Sequence, residues 1–153
     1  MALLERGSSL QDLSAALGEV IRGLGRIALV SGEAGIGKTV LVEQFVRRQT
    51  NAVRGLWGAC DALFTPRPLG PLYEMTSHAQ EPLAGLLAAD ANHTTSFTTF
   101  LNALQGRPVL AVFEDVHWAD EATLDLLRFL GRRIMRTTTL LVLTAQPSEA
   151  TPA

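Results

Sequence analysis

A glycine-rich turn held between an apolar strand and a helix narrows the fold more than any other feature of this chain. Residues 26–31 read RIALVS, a short apolar and β-branched run of the kind that forms a buried strand. Residues 38–48, KTVLVEQFVRR, read as a helix. Between them Gly32, Glu33, Ala34, Gly35, Ile36, Gly37, Lys38 and Thr39 satisfy G-x-x-x-x-G-K-[ST] in full. The glycines let the backbone curl so that successive N–H groups point inward at phosphate oxygens. The helix that follows adds the positive end of its dipole. In such a loop the lysine, Lys38, reaches the β- and γ-phosphates and the hydroxyl of Thr39 holds Mg²⁺. The alternative is a glycine turn that matches by chance; the strand before it and the helix after it argue against that.

The rest of the chain repeats the strand–helix alternation. Leu10, Leu13, Leu17, Val20 or Ile21, and Leu24 recur at helical spacing after Ser8 and Ser9, predicting a helix over about 9–23 with a serine N-cap and Gly25 as C-cap. AVRGLWGACD is a second strand candidate, and TPRPLGP, with three prolines, a loop. Residues 72–105 read as helical pieces broken near Pro82 and Asn92. PVLAVFED is the clearest strand, TTLLVLTA a fourth. Between these two, Asp120, Glu121, Leu124, Leu127, Leu130 and Ile134 mark a helix, with Asp120 as N-cap and Arg132, Arg133 and Arg136 at the end that favours cations. The expectation is an α/β fold with a parallel sheet covered on both faces, a core over 1–146 and a disordered tail over 147–153.

Composition limits the partners. Of 153 residues, 47% are apolar and 18% charged, enough to bury a core. A net charge of -2 gives no electrostatic case for direct nucleic-acid contact. No apolar run is long enough to span a membrane, and Glu5, Arg6 and Asp12 interrupt any signal-peptide core. One cysteine, Cys60, rules out an internal disulfide and fits a cytoplasmic setting. Of the 13 basic residues only Lys38 is lysine, and it lies in the glycine motif.

The second chemical signal is the end of VLAVFEDVHWAD, where five apolar residues run into Glu114 and Asp115. In a phosphate-loop fold an acid at the end of a neighbouring strand faces Mg²⁺, and a second acid activates the attacking water. The plain alternative is a solvated strand end. The common order is aspartate then glutamate; here glutamate comes first, which leaves nucleotide binding in place and predicts slow hydrolysis.

Five stretches in order, LLERGSSLQDL, VSGEAGIGKT, WGACDALFTPRPLGPL, FEDVHWADEATLDLLRFLGRR and LLVLTA, resemble the N-terminal ATPase domain of large LuxR-type bacterial transcriptional regulators, relatives of the STAND signalling ATPases. The resemblance covers nearly the whole chain. It implies a three-layer phosphate-loop NTPase fold with strand order 5-1-4-3-2, and an ATP/ADP switch with Mg²⁺ as cofactor. It also implies that Gly32 to Thr39 hold the phosphates, that Glu114 and Asp115 serve Mg²⁺ and water, and that Arg6 closes over the adenine side. Glu-Asp is the family's usual pairing at this strand.

Several residues carry two readings. Trp118 reads as packed structure before a base-stacking platform. His117 is either a satisfied loop histidine or a group that orients water or phosphate. Cys60 and Asp61 read as structural, and His78 and His93 as isolated. Two departures from the family pattern matter. Gln146 stands where the family places a γ-phosphate-sensing arginine, and the chain stops at Ala153 before any fifth strand, lid or helix-turn-helix. The expectation is a fragment in which RIALVS is left as an edge strand, open to self-association or to docking against C-terminal domains. Three functions follow: an ATP-binding regulatory domain with weak ATPase activity, an inactive remnant or interaction module, and a metabolic kinase, the last disfavoured because no acceptor-binding segment is visible.

Overall fold

The computed structural model describes residues 2–4, 9–31, 36–49, 53–60, 69–77 and 93–146. Five strands alternate with helices in chain order. They are β1 (Ala2–Leu4), α1 (Ser9–Ile21), β2 (Arg26–Ser31), α2 (Ile36–Arg47), β3 (Arg54–Ala59), α3 (Gly70–Ser77), α4 (His93–Ala103), β4 (Val109–Glu114), α5 (Glu121–Gly131) and β5 (Thr139–Ala145). Short 3₁₀ turns follow β4 at Val116–Trp118 and α5 at Ile134–Arg136.

The strands form one parallel sheet in the order β1-β2-β5-β4-β3. The period-two alternation of side chains divides the core between the two faces. From β4, Leu110 and Val112 join Leu140 and Val142 of β5 against Leu13, Leu17 and Val20 of α1 and Val42 and Phe45 of α2. The intervening Val109, Ala111 and Phe113 join Leu141 and Leu143 against Leu72 and Met75 of α3, Phe97 and Phe100 of α4, and Leu126 and Leu130 of α5. β4 and β5 are apolar at almost every position because both of their faces are covered.

The four strands read from sequence stand in the expected relative order. RIALVS, however, is not the sheet edge. Ala2–Leu4 pairs with it in parallel, Ala2 opposite Ala28 and Leu4 opposite Val30. A three-residue strand is too short to show a period, so the sequence carried no signal for it.

Other boundaries shift for local reasons. α1 ends at Ile21, two residues short of the expected 23. Gly23 adopts φ 104°, its N–H bonds to the Val20 carbonyl at 2.9 Å and that of Leu24 to the Glu19 carbonyl at 3.1 Å, the paired bonds of a Schellman end. Gly25 instead packs under the 3₁₀ turn after α5, where a Cβ would lie 1.8 Å from the Ile134 carbonyl oxygen. The loop TPRPLGP is shorter than read: α3 already begins at Gly70, with Pro71 in the first turn, where a helix tolerates proline. α5 ends at Gly131 rather than near Ile134, and Arg133 turns back to donate to the Phe129 carbonyl at 3.0 Å. The break near Pro82, the serine cap of α1 and the tail 147–153 lie outside the described residues.

Candidate functional site

In an all-parallel sheet the carboxyl ends of the strands share one edge, and that edge carries the chemistry. β2 delivers Ser31 there, level with Ala145 at the end of β5, and α2 leaves from the same place. β4 delivers Glu114 opposite Ala59 of β3. Glu114 follows the parity of Leu110 and Val112, so its side chain falls on the face covered by α1 and α2.

That placement brings Glu114 to Thr39. The half-buried carboxylate accepts hydrogen bonds from the Thr39 hydroxyl and from the Trp57 indole. Its Oε1 is buried and has no hydrogen-bond partner among the described residues. Burial is the main cause that pushes the Glu114 carboxyl above its ordinary value, followed by the negative charges of Asp115 and Glu43; the bonds from Trp57 and Thr39 oppose the shift. Glu43 lies one helical turn beyond Thr39 on α2, so its negative charge acts on Glu114 from that helix.

Asp115 is in the left-handed region at φ 56°, ψ 49°. A non-glycine residue rests there only when its surroundings fix it. Its N–H donates to the buried Thr144 hydroxyl at 2.9 Å, and its carbonyl accepts from the Trp118 N–H at 2.9 Å. His117 Nδ1 accepts the Gln146 N–H at 3.1 Å. The acidic turn is thus fastened twice to the end of β5. His117 behaves as the satisfied loop histidine. Trp118 does not follow its expected packing: it is 51% exposed, its ring 5.2 Å from that of His117. Asp120 caps α5 as expected, accepting from the Thr123 N–H at 3.0 Å and the Thr123 hydroxyl at 2.6 Å, and it also accepts from the Leu69 N–H at 3.3 Å.

Cys60 is buried, and its N–H extends the β3–β4 ladder to the Glu114 carbonyl at 2.9 Å. Burial, with Asp120, Asp115 and Glu74 close by, pushes its thiol up to about 12, so it is no nucleophile at neutral pH. This agrees with its structural reading.

Of the other sequence candidates, Arg6, Gly32, Glu33, Ala34 and Gly35 lie outside the described residues, as do Asp61 and His78. Ile36, Gly37, Lys38 and Thr39 form the start of α2, and among their side chains only that of Thr39 is described. Among the described residues there is no cluster of three or more His, Cys, Asp or Glu groups placed to hold a metal by themselves. The oxygen donors at Thr39 and Glu114, with Oε1 buried and unmatched, nevertheless suit a hard cation that takes its remaining ligands from phosphate and water. Sequence reasoning missed Trp57 altogether.

Comparison with known proteins agrees with this architecture. The AAA ATPase domain family matches residues 2–143. A protein of Rhizobium meliloti (strain 1021) whose name gives no function is 27% identical over an alignment of 194 residues; the alignment covers 97% of this chain and 19% of that protein. The chain therefore spans about a fifth of that relative's length. A chain in the structure of Drosophila ORC bound to DNA superposes with a TM-score of 0.54 at 12% identity, covering 94% of this chain and 81% of that one, which is a likeness of fold.

Proposed function

Because the chain belongs to the AAA ATPase domain family, we propose that it is an ATP-binding regulatory domain, a switch that hydrolyses its nucleotide slowly at most. The observation that carries this reading is Glu114. A half-buried carboxylate with one unmatched oxygen, hydrogen-bonded to Thr39 and crowded by two further acids, is costly unless a cation or a water comes to it. Thr39 and Glu114 would hold Mg²⁺, which when bound neutralises charge on the phosphates. Gly32 to Lys38 would wrap the phosphates, Lys38 at the β- and γ-positions. Asp115, beside Glu114 and with its N–H bonded to the Thr144 hydroxyl, would orient water. Arg6 on the adenine side, and a role as the nucleotide module of a LuxR-type transcriptional regulator, follow from the resemblance alone.

An inactive remnant or interaction module is the second reading, and Gln146 favours it. Gln146 stands at the exit of β5 with no positive charge for a γ-phosphate, and its backbone N–H is taken by His117.

Calorimetric titration with ATP and ADP in Mg²⁺, beside Lys38→Ala, separates the two. We expect micromolar binding in the wild type and its loss in the variant. A folded wild-type chain that takes up neither nucleotide would overturn the switch and leave the remnant.

A further inference from the structure

We infer that Trp57 is a positioning residue for the cation site, holding one oxygen of Glu114 so that the other stays open for Mg²⁺ or its water. The inference rests on the nucleotide-binding reading above.

The sheet register makes the contact. Trp57 lies opposite Val112 and Ala59 opposite Glu114, so Trp57 and Glu114 share a sheet face and sit on a diagonal two residues apart. Neighbours on one sheet face of adjacent strands, the diagonal ones included, are within reach of a side chain as long as an indole. The body of Trp57 is partly buried against the cluster that α1 and α2 cover, which restrains the ring. Its N–H can only donate, and the acceptor it meets is the Glu114 carboxylate. With Thr39 as the second donor and Oε1 left without a partner, the carboxylate is fixed by its protein contacts and keeps one oxygen in reserve. A phenylalanine would fill much the same space and give no hydrogen bond. Groups that hold a metal ligand from behind typically change metal affinity on the order of ten- to a hundredfold when removed.

The test has two arms. In the first, ATP affinity is measured by calorimetry in EDTA and in saturating Mg²⁺, for the wild type and Trp57→Phe. The ratio of the two affinities is the gain that Mg²⁺ brings. We expect that gain to fall about tenfold in Trp57→Phe, with the EDTA affinity unchanged. A merely structural tryptophan would move both affinities together or neither. An unchanged gain would overturn the inference.

The second arm needs no nucleotide and leaves Trp57 in place. The chain has two tryptophans, so Trp118→Phe leaves Trp57 as the one tryptophan, excited selectively at the red edge of the absorption band. Adding Glu114→Gln on that background should shift its fluorescence maximum. No shift means no contact, and the inference fails whatever Mg²⁺ does. If the wild type binds no nucleotide, the switch reading falls in the first arm, while the second still decides whether Trp57 holds Glu114.

Discussion

At the scale of single residues, Glu114 is held at a cost. Its carboxyl is raised above the ordinary 4.5, so the folded state holds that proton more tightly than the unfolded state does. The group's contribution to stability is therefore complete below pH 4.5 and is lost as pH rises through the folded value. Without a cation, ionising Glu114 in the folded chain therefore opposes folding. Glu114→Gln should stabilise the nucleotide-free chain at pH 7, and a gain on the order of 1 kcal/mol corresponds to about 2–4 °C in a domain of this size. Thermal melts at pH 7 and at pH 4 check this; the gain should vanish at the lower pH. The strand-end acids were legible because an apolar run that stops at two carboxylates is a local pattern. Trp57 was not, because its meeting with Glu114 depends on β3 lying beside β4 in one particular register.

At the scale of elements, Asp120 shows how one side chain can fix two. It caps α5 and takes the Leu69 N–H just before α3 begins, joining segments 51 residues apart. Asp120→Ala should cost about 1–2 kcal/mol, more than an isolated cap, as read from denaturant midpoints. Asp120→Asn should recover most of the loss, since asparagine caps nearly as well. The cap itself was legible: an acid before Glu-Ala-Thr-Leu at the start of a periodic stretch is a start signal. The end of α1 was not. Gly23 and Gly25 are equally good stops in sequence, and the choice between them is made by the Ile134 carbonyl, which lies more than a hundred residues away and leaves no room at Gly25 for a side chain.

At the scale of the whole molecule, both faces of the sheet converge on β5. Leu141 is fully buried on one face and Val142 on the other. Leu141→Ala should cost about 2–5 kcal/mol by the cavity it leaves, a large part of the 5–15 kcal/mol that holds a typical domain together. Urea unfolding with an unchanged slope is the expected form of that loss. The layered α/β architecture was legible from strand–helix alternation, whereas the neighbour of β2 was not, because three residues at Ala2–Leu4 carry no pattern. The position of β5 also bears on how the chain is born. β5 comes last among the described strands, yet it lies at the centre, paired to β2 on one side and β4 on the other. Until Thr139–Ala145 has been made, β1–β2 and β3–β4 are two separate ribbons with nothing between them. The nascent chain must therefore carry Ala28 and Val30 without their β5 partners until residues 139–145 have been made, and Leu110 and Val112 over a shorter stretch. The sheet can close only in a late step, joining residues such as Ile27 and Leu141 that are far apart in the chain. This strand order makes the central pairings of the sheet non-local, a property that slows folding.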